Sequence, residues 1–310
     1  MSIILLNIYI LHIYIYIYIE MFPSDFDLDI YKEWDDLKGM NNELLEKHYK
    51  EHGKNEGRVC SKISNRSTLI EYIDTNKLEC LEIGPFECPN LKGENVKYFD
   101  VLDQDSMQKR AIKLNRMGKV PYIDYVDSIG NLKVIDKKFD LVLSCHSIEH
   151  QLNFIQHLVD VSQLLNENGY YVVILPDKRY CFDHFINEST IADIICQHTT
   201  KPMLHSVKSV IEHRSLICHN FCIRHWNNDH GEQNYVYDDN SIEYAVKEYQ
   251  DSISKNEYLD VHSLQFTPDS FKNIITILKN LNYIDLVIDN VYSTIKNDLE
   301  FFVILKKVTK

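Results

Sequence analysis

Glycine and proline are scarce in this chain, which has nine glycines and seven prolines among 310 residues. A dinucleotide-binding turn needs closely spaced glycines, in the pattern G-x-G-x-x-G, so that backbone amides can surround a pyrophosphate. The sequence contains no such pattern. It therefore disfavours a nicotinamide-dependent enzyme.

Long basic runs are also lacking. The chain carries 46 acidic and 33 basic side chains, which gives a formal net charge of −13. A duplex nucleic acid would have to be held by a local patch against a repulsive field. We therefore predict a small-molecule or glycan substrate and no nucleic-acid partner.

The first twenty residues lack the features of a signal peptide, because no basic leader and no small-residue cleavage site accompany their apolar stretch. Residues 3–19 are uncharged and alternate isoleucine with tyrosine. Three interpretations remain: a disordered or mis-started extension, a membrane anchor, or an added strand. We favour the first, with the true start at Met21, and expect a membrane partner only if residues 3–19 are an anchor.

The eight cysteines show no spacing typical of a disulfide framework. Their scatter through apolar runs indicates reduced, buried thiols and a cytoplasmic location. One histidine- and cysteine-rich stretch has the spacing C-H-x-x-C-x-x-H, without the paired cysteines of a zinc knuckle, and we predict that the protein has no metal site. That stretch and its upstream histidine comprise His213, Cys218, His219, Cys222 and His225.

The pattern divides the chain into an extension at 1–20, a short helical module at 21–65 and a main domain at 66–310. In the main domain, short apolar runs alternate with helical patterns, which predicts an α/β fold with a mostly parallel sheet. The pattern loosens over residues 176–262, and we predict that this insertion forms a cap over the acceptor site. The predicted strands are Leu78–Ile83, Val96–Leu102, Tyr122–Val126, Phe139–Ser144, Tyr170–Leu175, Tyr283–Ile288 and Phe301–Lys306.

The segment LECLEIGPFECP, from Leu78 to Pro89, is the most informative. A buried strand ends at Glu82 and then turns at Gly84, which places the backbone at the edge of the sheet where ligands bind. Asp100 ends the next strand, and its separation in sequence from Glu82 is typical of an acidic residue that binds ribose hydroxyls. Without a phosphate cradle, a phosphate-free cofactor such as S-adenosylmethionine fits this turn better than a dinucleotide.

An ordered set of motifs resembles the class I S-adenosylmethionine-dependent methyltransferases, in particular a subfamily often encoded beside glycosyltransferases. The motifs are LECLEIGPFECP, NVKYFDVLD, FDLVLSCHSIEH, GYYVVILPDKRYCFDH, YLDVHSLQFTPDSF and LEFFVILKK, and the resemblance covers Leu78–Lys307. It implies a Rossmann-like, seven-stranded sheet with helices on both faces. Residues 26–58 also resemble a small module found beside glycosyltransferase and methyltransferase domains, which implies an association with glycosyltransferases.

The resemblance assigns roles to residues at three strand ends. It places Glu82 and Gly84 at the methionine portion of the cofactor, Asp100 at the ribose and Asp127 near the adenine, and it makes Pro85 a further cofactor-binding residue. Ser144, Cys145 and His146 would close the end of the fourth strand against the cofactor. The sequence departs from the family at Phe86, where class I enzymes usually have a second glycine.

Two histidines are candidate general bases for a hydroxyl acceptor, because imidazole titrates near neutral pH. His150 follows the fourth strand, although it could instead cap the next helix. His262 is the second candidate, although its segment could instead be a strand that packs the insertion. The residues after the fifth strand would line the acceptor pocket or form an ordinary solvated loop; they are Asp177, Arg179, Tyr180 and Asp183.

The predicted function is therefore methyl transfer from S-adenosylmethionine to a small-molecule or glycan acceptor, with a sugar hydroxyl or amine favoured. The alternative is a non-catalytic binding or scaffold protein that keeps the methyltransferase fold inside a glycan-assembly complex. Fold-level resemblance does not distinguish the two, because function resides in the site.

Overall fold

The computed structural model describes residues 21–232 and 239–308. The predicted apolar extension, residues 1–20, lies outside the described residues, so none of its three interpretations is tested. Among the described helices, none is both long and apolar enough to cross a membrane.

Seven strands form one sheet in the order β3-β2-β1-β4-β5-β7-β6. The first five strands pair in parallel, whereas β7 pairs antiparallel with both β5 and β6. This confirms the predicted seven-stranded, mostly parallel sheet. The strands are β1 Cys80–Ile83, β2 Val96–Asp100, β3 Tyr125–Val126, β4 Phe139–Cys145, β5 Leu165–Pro176, β6 Leu286–Tyr292 and β7 Glu300–Lys307.

The strand order reverses beside β1, because β2 lies on one side of it and β4 on the other. In doubly wound sheets, a crevice opens at such a point, outside the carboxyl ends of the strands, and ligands bind there. All four residues of β1 are buried, as expected for a parallel strand that is covered on both faces. The fold therefore directs attention to the residues that follow β1, β2 and β4.

Helices cover both faces of the sheet. On one face, Phe154 and Phe271 of two long helices pack with Leu81 and Val142 in the largest core cluster. On the other face, Leu69 packs with Cys80 and Leu141. The helices are α1 Leu28–Tyr31, α2 Asn42–His48, α3 Arg66–Ile70, α4 Gln104–Lys113, α5 Phe154–Leu164, α6 Ile191–Thr200, α7 Val207–Leu216, α8 Cys222–Trp226, α9 Asp239–Lys255 and α10 Pro268–Asn280.

Helix starts follow local capping chemistry. Thr267 caps α10 through a hydrogen bond from Ser270 N, and Pro268 occupies the first turn, where its missing N–H costs nothing. Helix α4 begins at Gln104, directly after Asp103, whose side chain accepts a hydrogen bond from Ser106 N.

All seven strands differ somewhat from their predicted bounds, and the largest differences, of three to five residues, are at β3, β5 and β6. The strand predicted over Tyr122–Val126 is only Tyr125–Val126, because this edge strand pairs with β2 at Phe99 and Asp100 alone. The strand predicted over Tyr283–Ile288 begins later and extends to Tyr292, where Val291 and Tyr292 pair with β7.

Short helices and turns form the N-terminal segment. A 3₁₀ helix at Asp35–Leu37 and a π-helical turn at Tyr49–Gly53 accompany α1 and α2. A small apolar cluster holds these elements together, and its buried members are Tyr31, Leu37, Leu45 and Cys60. The association with glycosyltransferases that the resemblance of this segment implies stays a prediction.

The insertion after β5 contains α6 to α9 and contacts the carboxyl-edge segments of the sheet. His198 Nδ1 lies 3.1 Å from Asn153 Oδ1, just before α5. Asp260 forms a salt bridge of 2.8 Å with Arg110 on α4, the helix that follows β2. The insertion thus reaches residues that follow both β2 and β4.

Candidate active site

The turn after β1 is organised by Glu82, which is 1% exposed. Its carboxylate accepts hydrogen bonds from the backbone N–H groups of Asn90 and Leu91 at 2.9 and 2.8 Å, and from the Asn90 side chain at 2.8 Å. Burial raises the pKa of Glu82, although these donors act to lower it. Glu82 therefore holds the loop that follows β1 in place.

Glu82 and Asp100 lie on the same face of the sheet. Glu82 pairs with Tyr98 in the parallel register of β1 and β2, and Asp100 is two residues beyond Tyr98 on the same face. One oxygen of Asp100 accepts a hydrogen bond of 3.1 Å from Leu102 N. Burial raises the pKa of Asp100, which indicates a carboxylate that has lost more hydration than its hydrogen bonds replace.

Two residues of the turn after β1, Gly84 and Phe86, have left-handed backbone conformations. Gly84 has φ +71°, and a Cβ atom there would lie 3.8 Å from the nearest side chain, that of Ser147. Phe86 has φ +45°, a conformation that glycine adopts freely and other residues adopt at a cost. Phe86 thus has a backbone geometry that would suit a glycine, and Pro85, between Gly84 and Phe86, is buried.

The end of β4 presents its residues in two directions. Ser144 is fully buried and its hydroxyl lies 2.7 Å from Tyr171 Oη, on the face of the sheet opposite Glu82. Cys145 is two residues beyond Leu143, the partner of Glu82 in the register, and therefore lies on the same face of the sheet as Glu82. Burial raises the pKa of the Cys145 thiol.

His146 occupies a left-handed backbone position, with φ +48°. Its Nε2 lies 2.6 Å from Glu300 Oε1, and Glu300 also forms an ion pair with Arg66. Burial acts to raise the pKa of Glu300, but the His146 and Arg66 partners lower it to about 2. This network anchors the turn that leaves β4.

Asp127 closes the turn that follows β3. Its Oδ1 accepts hydrogen bonds from Ile129 N and Asn131 N at 3.1 and 2.9 Å. Its backbone N–H donates to Asp100 O at 3.3 Å, so this turn adjoins the end of β2.

His150 and His262 meet in the structure. Their rings make an edge-to-face contact with centroids 4.6 Å apart. Backbone hydrogen bonds from Ser263 N and Leu264 N to Glu149 O join the two segments. His150 Nδ1 lies 3.2 Å from Val261 O, and burial lowers the pKa of His150.

A buried carboxylate orients His262. His262 Nδ1 lies 2.6 Å from Asp183 Oδ2, and both residues are almost fully buried. Burial acts to lower the pKa of His262, but the charge and hydrogen bond of Asp183 raise it above its ordinary value. A carboxylate on one imidazole nitrogen leaves the other nitrogen to act as a proton acceptor.

Sequence reasoning missed the role of Glu149. It is 1% exposed, and neither of its carboxylate oxygens has a hydrogen-bond partner among the described residues. Its Oε1 lies 4.0 Å from His262 Nε2 and 3.7 Å from His146 Nδ1. Its position beside His150 in the motif was the available signal.

The other residues predicted to line an acceptor pocket bind one another. Arg179 donates hydrogen bonds from Nε and Nη2 to the carboxylate of the fully buried Asp177, at 2.9 and 2.6 Å. Thr294 Oγ1 donates another to Asp177 at 2.7 Å. Tyr180 stacks on Trp226 with centroids 3.8 Å apart. Of the four predicted residues, Asp183 makes the direct link to the paired histidines.

The histidine- and cysteine-rich stretch splits in two. His213 packs beside Phe182 and His262, whereas Cys218 Sγ lies 4.0 Å from His225 Nε2. All eight cysteines are free thiols.

No protein-family model and no curated protein matches this chain. Solved structures that align with it include the magnesium protoporphyrin IX methyltransferase of Synechocystis with bound SAH, at 8% identity and a TM-score of 0.36, over 87% of this chain and 89% of that one. An S-adenosylmethionine-dependent methyltransferase from Clostridium acetobutylicum aligns at 13% identity and a TM-score of 0.38, over 86% and 99% of the two chains. A ribosomal protein L11 methylase from Lactobacillus delbrueckii aligns at 12% identity and a TM-score of 0.31, over 79% and 80%. Similarity at this level does not assign the chain to a family.

Proposed function

We propose that the protein transfers a methyl group from S-adenosylmethionine to a hydroxyl or amine of a small-molecule or glycan acceptor, with a sugar the favoured acceptor. The observation that carries the proposal is the placement of two carboxylates and a pair of histidines at the carboxyl edge of the sheet, where the strand order reverses. Glu82 and Asp100 share one face there, and Ser147, which approaches Gly84, directly precedes the segment of Glu149 and His150.

The residues present suit a cofactor without phosphates. A Cβ atom at Gly84 would have only the Ser147 side chain within 4 Å, and the loop held by Glu82 would enclose the methionine portion together with Pro85. Asp100, which is half-buried, would accept hydrogen bonds from the ribose hydroxyls, and Asp127 would adjoin the adenine. Arg66 is ion-paired with Glu300, but its charge also acts on Glu82 and Cys145 and would contribute positive potential near the cofactor's carboxylate.

The cofactor supplies an electrophilic methyl group, and the chain must then position the acceptor and remove its proton. Positioning is the main source of acceleration in such a displacement. His150 and His262 are the candidate proton acceptors, because each has its Nδ1 held by an acceptor and its other nitrogen available. Asp183 acts through His262 as a positioning residue. The insertion would cover this site as the acceptor cap.

Calorimetry with S-adenosylmethionine tests the cofactor assignment. We expect binding at one site, and we expect Asp100→Asn to weaken it by about tenfold or more, since a hydrogen bond to a charged group is worth about 1.5–3 kcal/mol. Asp105→Asn is the matched control, because Asp105 is exposed on α4 and should leave the affinity unchanged.

The absence of any heat from the wild-type protein would favour the scaffold alternative over the enzyme. Heat that is unaffected by Asp100→Asn would place the ribose elsewhere. Release of S-adenosylhomocysteine in the presence of sugar hydroxyl and sugar amine acceptors then tests the acceptor class.

A further inference from the structure

Glu149, His150 and His262 bring one ligand atom each within 4.8 Å of one another. His262 Nδ1 faces the carboxylate of Asp183 at 2.6 Å and His150 Nδ1 faces the carbonyl of Val261 at 3.2 Å. Carbonyl and ionised carboxylate oxygens can only accept hydrogen bonds, so each Nδ1 carries a proton, and in the neutral imidazole the lone pair is on Nε2.

The Glu149 carboxylate and the two imidazoles can therefore each offer an acceptor atom to the point between them. The Glu149 carboxylate contributes two oxygens without a hydrogen-bond partner among the described residues. The residue is only 1% exposed. An unpaired buried carboxylate is costly. Since Glu149 Oε1 and His262 Nε2 are 4.0 Å apart, a shared proton cannot join them by a normal hydrogen bond.

We propose that Glu149, His150 and His262 bind a divalent transition-metal ion. Two imidazoles and one carboxylate are a ligand set that Zn²⁺ takes in open sites, with bonds of about 2.0–2.2 Å. Ligand atoms within 4.8 Å of one another need to move by less than about 1 Å to reach those bond lengths. This small closure lies within the range of side-chain adjustment.

The surroundings of the two imidazoles match those of metal ligands elsewhere. Ligating histidines usually donate their other ring N–H to a carboxylate or a backbone carbonyl, which fixes the ring and its tautomer. Asp183 does this for His262, and Val261 O does it for His150. Glu149 and His262 are distant in the sequence, which is why ligand spacing gave no metal signal.

A second histidine cluster, His184, His225 and His230, offers ring nitrogens within the same range. There the His184 and His230 rings stack with centroids 3.6 Å apart, and both nitrogens of His225 have protein partners at 3.0 Å. This cluster contains no unpaired carboxylate, and it provides a matched control.

The catalytic role of this ion rests on the proposed function, whereas the binding of the ion does not. An ion at this point would lower the pKa of an acceptor hydroxyl that it binds and so assist loss of the same proton. His150 and His262 would then act as metal ligands, and the ion would activate the hydroxyl acceptor.

The experiment is a metal titration of the full, chelator-stripped chain, with Zn²⁺ in competition with a chromophoric chelator and Co²⁺ as a visible-absorption probe. We expect one equivalent of tight binding that Glu149→Gln and His262→Gln each weaken by about 100-fold or more, and that Asp183→Asn weakens by about 10–100-fold. His230→Gln should bind like the wild type. Because Glu149→Gln removes an unpaired buried charge, the metal-free variant should unfold at a temperature no lower than the metal-free wild type.

The proposal is overturned if the wild type binds neither ion, if Glu149→Gln and His262→Gln bind as tightly as the wild type, or if His230→Gln abolishes the binding. Calorimetry of the same metal-free protein with S-adenosylmethionine separates the two proposals. Metal binding without cofactor binding would refute the proposed function alone, and cofactor binding without metal binding would refute the metal site alone.

Discussion

Glu300 gives the sharpest test of how the carboxyl edge is held together. It begins β7, is 9% exposed, and binds both Arg66 and His146. Glu300→Gln keeps the shape of the side chain but removes the charge that these two partners share. We expect the substitution to destabilise the protein at neutral pH and to loosen the turn at His146 that leads to Glu149 and His150.

The magnitude follows from the pKa of Glu300, which falls from its ordinary value of 4.5 to about 2 in the folded chain. At about 1.4 kcal/mol for each pH unit, the difference corresponds to about 3 kcal/mol of stability. Because the folded pKa is lowered, this stability is fully present above pH 4.5 and is lost as the pH falls toward 2. Removing one partner of a buried ion pair typically costs about 3–5 kcal/mol, which agrees with this value.

Urea unfolding at pH 7 and at pH 3 measures both effects. We expect Glu300→Gln to lower the free energy of unfolding by about 3 kcal/mol at pH 7 and by less than about half of that at pH 3. Glu46→Gln is the matched control, because Glu46 and Lys50 form an exposed pair at 3.7 Å that should contribute less than about 1 kcal/mol. A loss at pH 7 no larger than that of the control, or an equal loss at both pH values, would refute the reasoning.

Three further predictions concern the site. His150→Ala should lower turnover of a hydroxyl acceptor by about 10²–10⁴-fold while calorimetry shows unchanged cofactor affinity; an equal loss of affinity would instead identify His150 as a structural residue. Gly84→Ala should cost about 1–2 kcal/mol in thermal unfolding because of its positive φ, and should weaken cofactor binding, whereas Gly39→Ala, at φ +89°, should cost stability alone. Ser144→Ala should lower stability by about 1 kcal/mol through loss of the hydrogen bond to Tyr171 without changing cofactor affinity; weaker cofactor binding would contradict the orientation of Ser144.

Much of the fold was predictable because its signals are local. The buried run of β1, the turn at Gly84 and the Thr267 cap each depend on neighbouring residues, so their patterns are legible in the sequence. Strand bounds were less predictable at the edges of the sheet. The bounds of β3 and β6 depend on how far a neighbouring strand extends, and no local pattern encodes that distance.

The candidate site divides in the same way. The sequence by itself determined that Glu82 and Asp100 lie near the ends of their strands and that His150 follows one, since alternating strands and helices of a parallel sheet bring such positions to one edge. Only the tertiary structure decided that Ser144 faces Tyr171, because that depends on which face of the sheet its strand presents. It also decided that Asp183 and His262 reach His150, and that Glu149 is buried without a partner among the described residues. These contacts join segments far apart in the chain, and packing of the insertion against the sheet, rather than any local preference, brings them together.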